Sequence, residues 1–354
     1  MIDSRGNVSW AGMFNRAHLE PELRHAYDAL LACVLNGQKS CEVSLSVGMD
    51  AARSLMGLVR DDCPELIHLT GGMAVYQWRA AIELRPGYAK GYERSVSSLY
   101  TKLAKMERSA ERLLAMVPAG ASAFDRALAL HDAYLAHYRY VKGRPYSHAA
   151  EGALLKHRAV CDGWAKGFKY LLDRAGIDCV YAHGPRRDGS APGHGWCVVN
   201  LSDRIERPLW HVIDPCNDGR DGKAPLHSFF GLAEGELLYE TDRSRGRWVP
   251  RATSNLGYYR LMGRYCATAE STVAIARGAG FPVHGVELKL PIFRSKDEFG
   301  QAVDVVLDCM KSAFGCSVVC CMDSTHSVIR VDAEGSRGYR QAVRLCSDSL
   351  RHPV

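Results

Sequence analysis

Residues 159–175 read AVCDGWAKGFKYLLDRA and combine a reactive side chain with a clear helical pattern. The apolar residues recur at helical spacing and form one stripe: Trp164, Ala165, Phe168, Leu171, Leu172 and Ala175. Gly176 follows the last of them and is a typical helix stop. The pattern therefore predicts a helix over 162–175 that docks one face on a core, with Cys161 at its start.

Cys161 is a candidate nucleophile because of this position. Free backbone N–H groups and the positive end of the helix dipole lower the pKa of a thiol, and the thiolate is the reactive form. The alternative is a structural thiol that is buried at the beginning of a helix. Taken alone, the position favours this structural alternative.

Two further polar residues stand at the ends of predicted strands downstream. His194 opens a strand over 194–201, where small neighbours leave the imidazole free to exchange protons. Asp214 closes a strand over 209–213, and a carboxylate there can hold the second imidazole nitrogen. A surface histidine and a turn-forming aspartate before a proline are the simpler alternatives. The order Cys, His, Asp, with gaps of 33 and 20 residues, favours a catalytic triad over unrelated side chains.

The elements around these residues predict an α+β fold. A helix is followed by strands over 179–183, 194–201 and 209–213, which Gly- and Pro-rich turns separate. The length of 354 residues suggests about two or three domains. We predict three regions: a helical N-terminal region over 1–140, a core over 141–255 and a small C-terminal α+β unit over 256–354.

Outside the core the prediction is coarser. The first 140 residues are mostly helical in pattern, with helical spacing around Leu30, Leu103 and Leu130. The segment 73–84, closed by Arg-Pro-Gly, is predicted as another helix. A helical stretch runs from Tyr258 to about residue 279. The C-terminal order is then strand, helix, strand, strand and helix, over 285–292, 296–314, 317–322, 327–331 and 337–349.

Composition and charge exclude several classes of protein. The net charge is +6 and the basic residues are spread out, so we expect no nucleic-acid partner. No stretch reaches about 18 apolar residues, so we expect no membrane span. Residues 1–15 lack the apolar core of a signal peptide. The 13 cysteines, an odd number, favour reduced thiols, and we expect a cytoplasmic protein that needs no cofactor.

Metal binding is the less favoured interpretation of the cysteines. The densest group is Cys309, Cys316, Cys320 and Cys321, and no CxxC pair occurs anywhere in the chain. A zinc ribbon would therefore lack its usual ligand spacing, and buried thiols are the simpler interpretation. Zinc held by Cys161, His194 and Asp214 is a weaker alternative, and we expect no bound metal.

Three stretches resemble the core of bacterial transglutaminase-like proteins, which are related to papain-type cysteine enzymes. They are residues 149–184, HGWCVV at 194–199 and WHVIDP at 210–215. The family typically shows YGAL, a VCxGYAxAFxxLL helix, HAWN and WxxVDxTW. The resemblance is specific over about residues 125–218. It implies a transglutaminase-like (papain-like) core with Cys161 as nucleophile, His194 as base and Asp214 as orienting acid.

The sequence departs from the family pattern at four places. Glu151 stands where YGAL has its aromatic residue, and HAWN is HGWC here, with Cys197 in place of Asn. Pro215 and Cys216 follow the Asp, where Thr usually comes two residues on. Trp164 is a conservative replacement of the helix Tyr. No member of the proposed triad is lost.

The cleft around the triad is less specified. An oxyanion hole needs a donor besides the backbone N–H of Cys161, and relatives use an upstream polar or aromatic side chain. Tyr146, Ser147 and His148 are the candidates, and the sequence does not choose between them. The residues predicted to line the substrate cleft are Tyr146, Trp164 and Trp196, although core packing is the simpler role for Trp196.

The resemblance implies an acyl-thioester formed at Cys161 from a peptide amide or a glutamine carboxamide. Transfer to water would make the protein a protease, amidase or deamidase, and transfer to an amine would make it a transglutaminase. The partner would be a protein or peptide substrate. The alternative is a binding or scaffold protein that keeps the fold without turnover.

Overall fold

The computed structural model describes residues 1–90, 96–136, 139–190, 193–204, 206–219 and 226–334. The chain divides into two units, one formed by Met1–Cys216 with Leu232–Ser254, the other by Asn217–Gly231 with Asn255–Val354. Each unit contains helices and strands, so the chain is of mixed α and β structure. The three-part division with boundaries at 140 and 255 stays a prediction.

Seven helices are described in the first unit: Phe14–Ala17, Pro21–Leu35, Met49–Asp62, Ser97–Leu114, Ala123–Leu135, Ala150–Lys156 and Cys161–Arg174. Short 3₁₀ turns occur at Leu45–Val47 and Glu234–Glu236. Pro21 occupies a first helical position, where no N–H is needed. The helix Cys161–Arg174 lies within one residue of its predicted bounds at each end. Of the helices in the described ranges, none has both the length and the apolar composition that crossing a bilayer requires.

Three strands of the first unit belong to the four-stranded sheet that carries His194, and neighbours among these three pair antiparallel. Their order is Cys179–Gly184, His194–Asn200 and Trp210–Ile213, close to the predicted bounds. The central strand is buried along its whole length. The register pairs Cys197 with Ile213, so the next residue on the last strand, Asp214, comes beside Trp196. Trp196 and His194 share a face of the sheet, because side chains alternate along a strand. The sheet therefore brings Asp214 to the side on which His194 lies.

The predicted helix over 73–84 is wrong. Residues Leu69–Gln77 and Ile82–Tyr88 form an antiparallel hairpin, with Val75 opposite Leu84. The strand Cys41–Val43 pairs with the second of these, and a separate parallel pair joins Arg139–Tyr140 to Arg158–Ala159. Burial alternates along the hairpin, since Ile82 and Leu84 are buried while the intervening residues are more exposed. The apolar residues of a short segment can fit both the two-residue period of a strand and the 3.6-residue period of a helix. In this segment the strand period is the one that the structure shows.

The second unit contains the predicted strand, helix, strand, strand order. An antiparallel sheet contains three strands in the spatial order Val286–Lys289, Val328–Ala333 and Val318–Asp323. The helix Lys296–Phe314 has the predicted bounds and lies, in sequence, between Val286–Lys289 and Val318–Asp323. The stretch from Tyr258 consists of two helices, Tyr258–Leu261 and Ala269–Gly278. The helix predicted over 337–349 lies outside the described residues. A short helix, Pro215–Asp218, and a short strand, Phe230–Leu232, lie where the chain passes between units.

The Cys161–Arg174 helix is enclosed by its neighbours. A Cβ placed on Gly163 would lie 2.4 Å from the carbonyl oxygen of Ser147 and 2.7 Å from the Cβ of Ala159. One turn on, a Cβ on Gly167 would lie 2.4 Å from the Tyr134 hydroxyl. Both glycines therefore allow a close approach that no larger residue permits.

A buried lysine anchors the same helix. The ammonium of Lys169, which is 1% exposed, donates to Asp173 at 2.9 Å and to the carbonyl oxygens of Gly12 and Cys179 at 3.0 and 2.8 Å. The charge is thus paired and all three of its donors have acceptors, as a buried ammonium requires. These bonds connect the helix to the N-terminal segment and to the first strand of the His194 sheet.

We predict that Gly163→Ala lowers the free energy of unfolding of the first unit by about 1–3 kcal/mol, because the added methyl group meets backbone and Ala159. This is opposite to the usual gain from replacing a helical glycine by alanine. All six tryptophans lie in the first unit, so tryptophan fluorescence during urea unfolding reports on it. Gly235→Ala, at a glycine with open space around it, is the control and should change stability little. An unchanged or raised stability in Gly163→Ala would contradict the packing described.

Candidate active site

Cys161 is the first residue of its helix and is half-buried. The preceding residue, Val160, is extended and accepts the N–H of Trp164, and no side chain caps the described start of the helix. The backbone N–H groups of the first turn therefore point out of the helix next to the sulfur. Their partial positive charge favours a negative oxygen on a carbonyl group bound beside the sulfur.

His194 lies between the two other residues of the predicted triad. Its Nε2 lies 2.6 Å from Oδ2 of Asp214, and Cys161 is close enough to the ring to contribute to the shift of its pKa. Because Nε2 faces the carboxylate, Nδ1 is left for the sulfur. The structure thus brings together three side chains that are far apart in the sequence.

Asp214 is completely buried and is held by two groups. Oδ2 accepts from His194, and Oδ1 accepts the backbone N–H of Cys216 at 3.1 Å. Pro215 and Cys216, where the sequence differs from the pattern that it resembles, begin the short helix Pro215–Asp218. The backbone N–H of Cys216 in the first turn of this helix is the second donor to the carboxylate. The carboxylate is fixed in orientation and directs a negative charge at the imidazole.

The pKa of His194 is raised from its ordinary value of 6.5 to about 10. Burial is the largest single influence and opposes protonation, but the charge and hydrogen bond of Asp214, together with Cys161, outweigh it. Because the pKa is raised in the folded chain, protonated His194 favours folding. This stabilisation is complete below about pH 6.5 and is lost as the pH rises towards 10.

Tyr239 stacks on His194, a contact that the sequence did not predict. The two ring centroids are 4.6 Å apart, with an angle of 27° between the planes. The segment around Tyr239 is held by backbone hydrogen bonds to the end of the first strand: Arg187 N–H to Leu238, Glu240 N–H to Pro185 and Asp242 N–H to His183. The aromatic face limits rotation of the imidazole and is an attractive neighbour for its protonated form. Since 45 residues separate the two rings and no motif surrounds Tyr239, the sequence offered no signal for this contact.

The predicted cleft residues occupy different environments. Trp164 and Trp196 are 1% and 0% exposed, so neither presents surface to a substrate in this structure. Trp164 donates its indole N–H to the carbonyl of Ala159 at 3.0 Å. Tyr146 is partly exposed and precedes the Cys161 helix, so it is the residue of the three that is accessible.

The two other oxyanion candidates are both engaged. The hydroxyl of Ser147, which is 1% exposed, donates to the carbonyl of Arg144 at 2.8 Å. His148 is exposed, and its Nδ1 lies 3.3 Å from Asp162. Of these two side chains, only that of His148 extends into solvent on the side of the Cys161 helix start.

The remaining departures from the family pattern have structural counterparts. Glu151 is buried and forms an ion pair with Lys102 at 2.9 Å, which replaces the packing of an aromatic ring. Cys197 donates its thiol to the carbonyl of Ala165 at 3.2 Å and so joins the sheet to the Cys161 helix. Gly195 is needed because a Cβ there would lie 2.9 Å from the hydroxyl of Tyr181.

The site geometry favours acid–base chemistry over metal binding. Nε2 and Oδ2 are separated by 2.6 Å, as a charge-assisted hydrogen bond requires. Two ligand atoms of a tetrahedral zinc ion, each about 2.0–2.1 Å from the metal, would be about 3.3 Å apart. The imidazole nitrogen that a zinc ion would use is therefore already committed to the carboxylate.

No family model and no curated protein matches the sequence. Among solved structures, one described as the crystal structure of a TGase is similar to this chain, with a TM-score of 0.31 and 13% sequence identity. The match covers 60% of this chain and 63% of that one, so the chain spans less than two thirds of the other's length. The functional proposal for this chain therefore rests on the side-chain geometry of Cys161, His194 and Asp214 and not on this similarity.

We predict that Asp214→Asn lowers the pKa of His194 by about 1–3 pH units, because the attractive charge is removed while the burial that opposes protonation remains. The pKa can be measured by NMR titration of the chain labelled with ¹⁵N-histidine. Asp188→Asn, a substitution on the exposed loop before His194, is the control and should leave the titration unchanged. An unaltered His194 titration in Asp214→Asn would show that the carboxylate does not control the ring.

Proposed function

We propose that the first unit is a thiol enzyme in which Cys161 attacks an amide carbonyl group and forms an acyl-thioester. The observation that supports this most is the position of the His194 ring, which lies 2.6 Å from the Asp214 carboxylate and close enough to Cys161 for the sulfur to influence its pKa. In this proposal Cys161 is the nucleophile, His194 the general base and acid, and Asp214 the group that orients and stabilises the imidazolium.

The first half of the reaction replaces an amine by sulfur. His194 holds the proton as an imidazolium, the sulfur bonds to the carbonyl carbon, and the negative oxygen faces the N–H groups at the start of the helix. The C–N bond then breaks, and His194 returns its proton to the departing amine. The half-reaction leaves a thioester on Cys161 and a neutral imidazole.

The second half of the reaction restores the thiol. His194 takes a proton from water or from a primary amine, which attacks the thioester carbon. The C–S bond breaks and Cys161 regains a proton. Water yields a carboxylic acid, as in a protease, amidase or deamidase, whereas an amine yields a new amide, as in a transglutaminase. We propose peptide amides or glutamine carboxamides of a protein or peptide as the acyl donors.

The reactivity of Cys161 separates an enzyme from a silent scaffold. At about pH 6, iodoacetamide should alkylate Cys161 faster than the half-exposed thiols Cys309 and Cys316, because an imidazolium and a helix start stabilise its thiolate. His194→Ala should slow this alkylation at least about tenfold. Mass spectrometry of digested protein measures all three sites in one sample. Equally slow labelling of all three would contradict the enzymatic proposal.

The products identify the acceptor. We expect the protein to hydrolyse amides in a mixture of glutamine-containing peptides, or to attach an added primary amine to them, as detected by mass spectrometry with and without the amine. Cys161→Ala should abolish every such product, because no thioester can form. Cys309→Ala is the matched control and should leave the products unchanged. Products that persist in Cys161→Ala would assign the chemistry to other residues.

A further inference from the structure

We propose that a pocket beside the helix that begins with Cys161 binds a carboxylate of the substrate, so that the enzyme selects acyl donors with an acidic group near the reacting amide. The inference rests on the proposed function and adds a substrate class to it. Arg60, His148 and Lys166 contribute the polar wall of the pocket. Its remaining surface is largely apolar and includes Leu66, Ile67 and Leu69.

The pocket adjoins the helix that begins with Cys161. Lys166 lines it and is five residues after Cys161, which is about 7.5 Å along the helix axis. His148 belongs to the segment whose backbone packs on Gly163, where a Cβ would lie 2.4 Å from the Ser147 carbonyl oxygen. Asp162, the residue after Cys161, lies 3.3 Å from His148 and 3.6 Å from Lys166, so the wall is within reach of a substrate residue near the amide that the sulfur attacks.

Arg60 supplies a positive charge that no carboxylate of the described residues pairs with. It is half-buried, and it forms no hydrogen bond or ion pair with any residue in the part of the chain that the structure describes. Its guanidinium lies over Gly71, where a Cβ would be only 2.3 Å from Nη1. Because Gly71 has no side chain, the guanidinium of Arg60 can occupy this position at the pocket.

The ammonium group of Lys166 is buried and still has N–H groups that can donate hydrogen bonds to a ligand. Its side chain is 7% exposed, and the nearest carboxylate oxygen, of Asp162, is 3.6 Å away. The ring of Tyr181 lies 4.8 Å from the ammonium. An ammonium has three donors, and a single partner beyond hydrogen-bond distance leaves donors for a ligand.

The acidic groups near the pocket are already engaged. Asp162 accepts the hydroxyl proton of Tyr181 and lies 3.3 Å from His148. Asp61, next to Arg60 in the chain, pairs with Arg247 at 3.0 Å and lies 3.8 Å from His183. The arginine and the lysine together outweigh Asp162, so the wall attracts an anion.

The size of the pocket limits what can enter it. Its volume of about 20 Å³ is close to the space that one water molecule needs. It therefore admits one oxygen of a carboxylate, while the rest of the group stays at the mouth of the pocket. In a peptide the carboxylate can come from an acidic side chain or from the free C-terminus.

The test uses chloroacetyl peptides, in which the sulfur of Cys161 displaces chloride and forms a thioether. Chloroacetyl-Gly-Asp-amide is compared with its neutral counterpart chloroacetyl-Gly-Asn-amide, and chloroacetyl-Gly-Gly with a free carboxylate is compared with its amide. We expect the acidic member of at least one pair to label Cys161 about tenfold faster than the neutral member. The pair that shows the difference identifies the source of the carboxylate.

Arg60→Gln should reduce this acidic-to-neutral rate ratio to near one, and Arg60→Lys should retain part of it. Arg53→Gln is the matched control, because Arg53 is exposed on the same helix and its loss removes the same charge. Added salt should lower the ratio in the wild type. Each ratio is taken within one variant, so a general change in thiol reactivity cancels.

Two outcomes overturn the proposal and differ in what they mean. If Cys161 reacts faster than Cys309 with every probe but both wild-type ratios are near one, the pocket does not bind a carboxylate and the thiol chemistry still holds. If neither the chloroacetyl peptides nor iodoacetamide labels Cys161 faster than Cys309, the proposed function fails and the pocket's role fails with it.

Discussion

The first unit depends on the enclosure of the Cys161–Arg174 helix. Gly163 and Gly167 allow neighbouring backbone and side chains to approach it within contact distance, and Lys169 binds it to the N-terminal segment and to the sheet. An isolated buried ammonium would be strongly destabilising, so this arrangement is tolerated only because every donor is used. The result is a helix that cannot slide relative to the sheet, which fixes the sulfur of Cys161 with respect to His194.

The sheet and the helix contribute different parts of the candidate site. The helix start supplies the sulfur and backbone N–H groups, while the sheet supplies the imidazole and the carboxylate. The protonation of His194 is then a balance between burial, which disfavours the charge, and Asp214, which favours it. Tyr239 covers the ring and belongs to a segment bound by backbone hydrogen bonds. Orientation and electrostatics at the site are therefore set largely by buried groups.

The sequence predicted the parts of this arrangement that follow from local pattern. The helix at Cys161 was placed within one residue, because its apolar stripe and Gly176 are local signals. The segment 73–84 was assigned to the wrong element, because a short apolar run fits two periods and only the pairing of Val75 with Leu84 decides between them. Contacts such as Tyr239 with His194, or Lys102 with Glu151, join residues 45 and 49 positions apart without a motif, so one sequence does not predict them. The sequence does not predict the pocket lined by Arg60 and Lys166 either, because these residues are also far apart in the chain and share no motif.

The contact between Gly195 and Tyr181 constrains how this protein can change over time. A methyl group at 195 would crowd the phenol oxygen and also lie 3.3 Å from the carboxylate of Asp162. Alanine at 195 and tyrosine at 181 are thus incompatible without rearrangement, so Gly195→Ala is costly unless Tyr181 changes with it. In descendants of this chain, a lineage that acquires alanine beside the histidine should lose the phenol hydroxyl first.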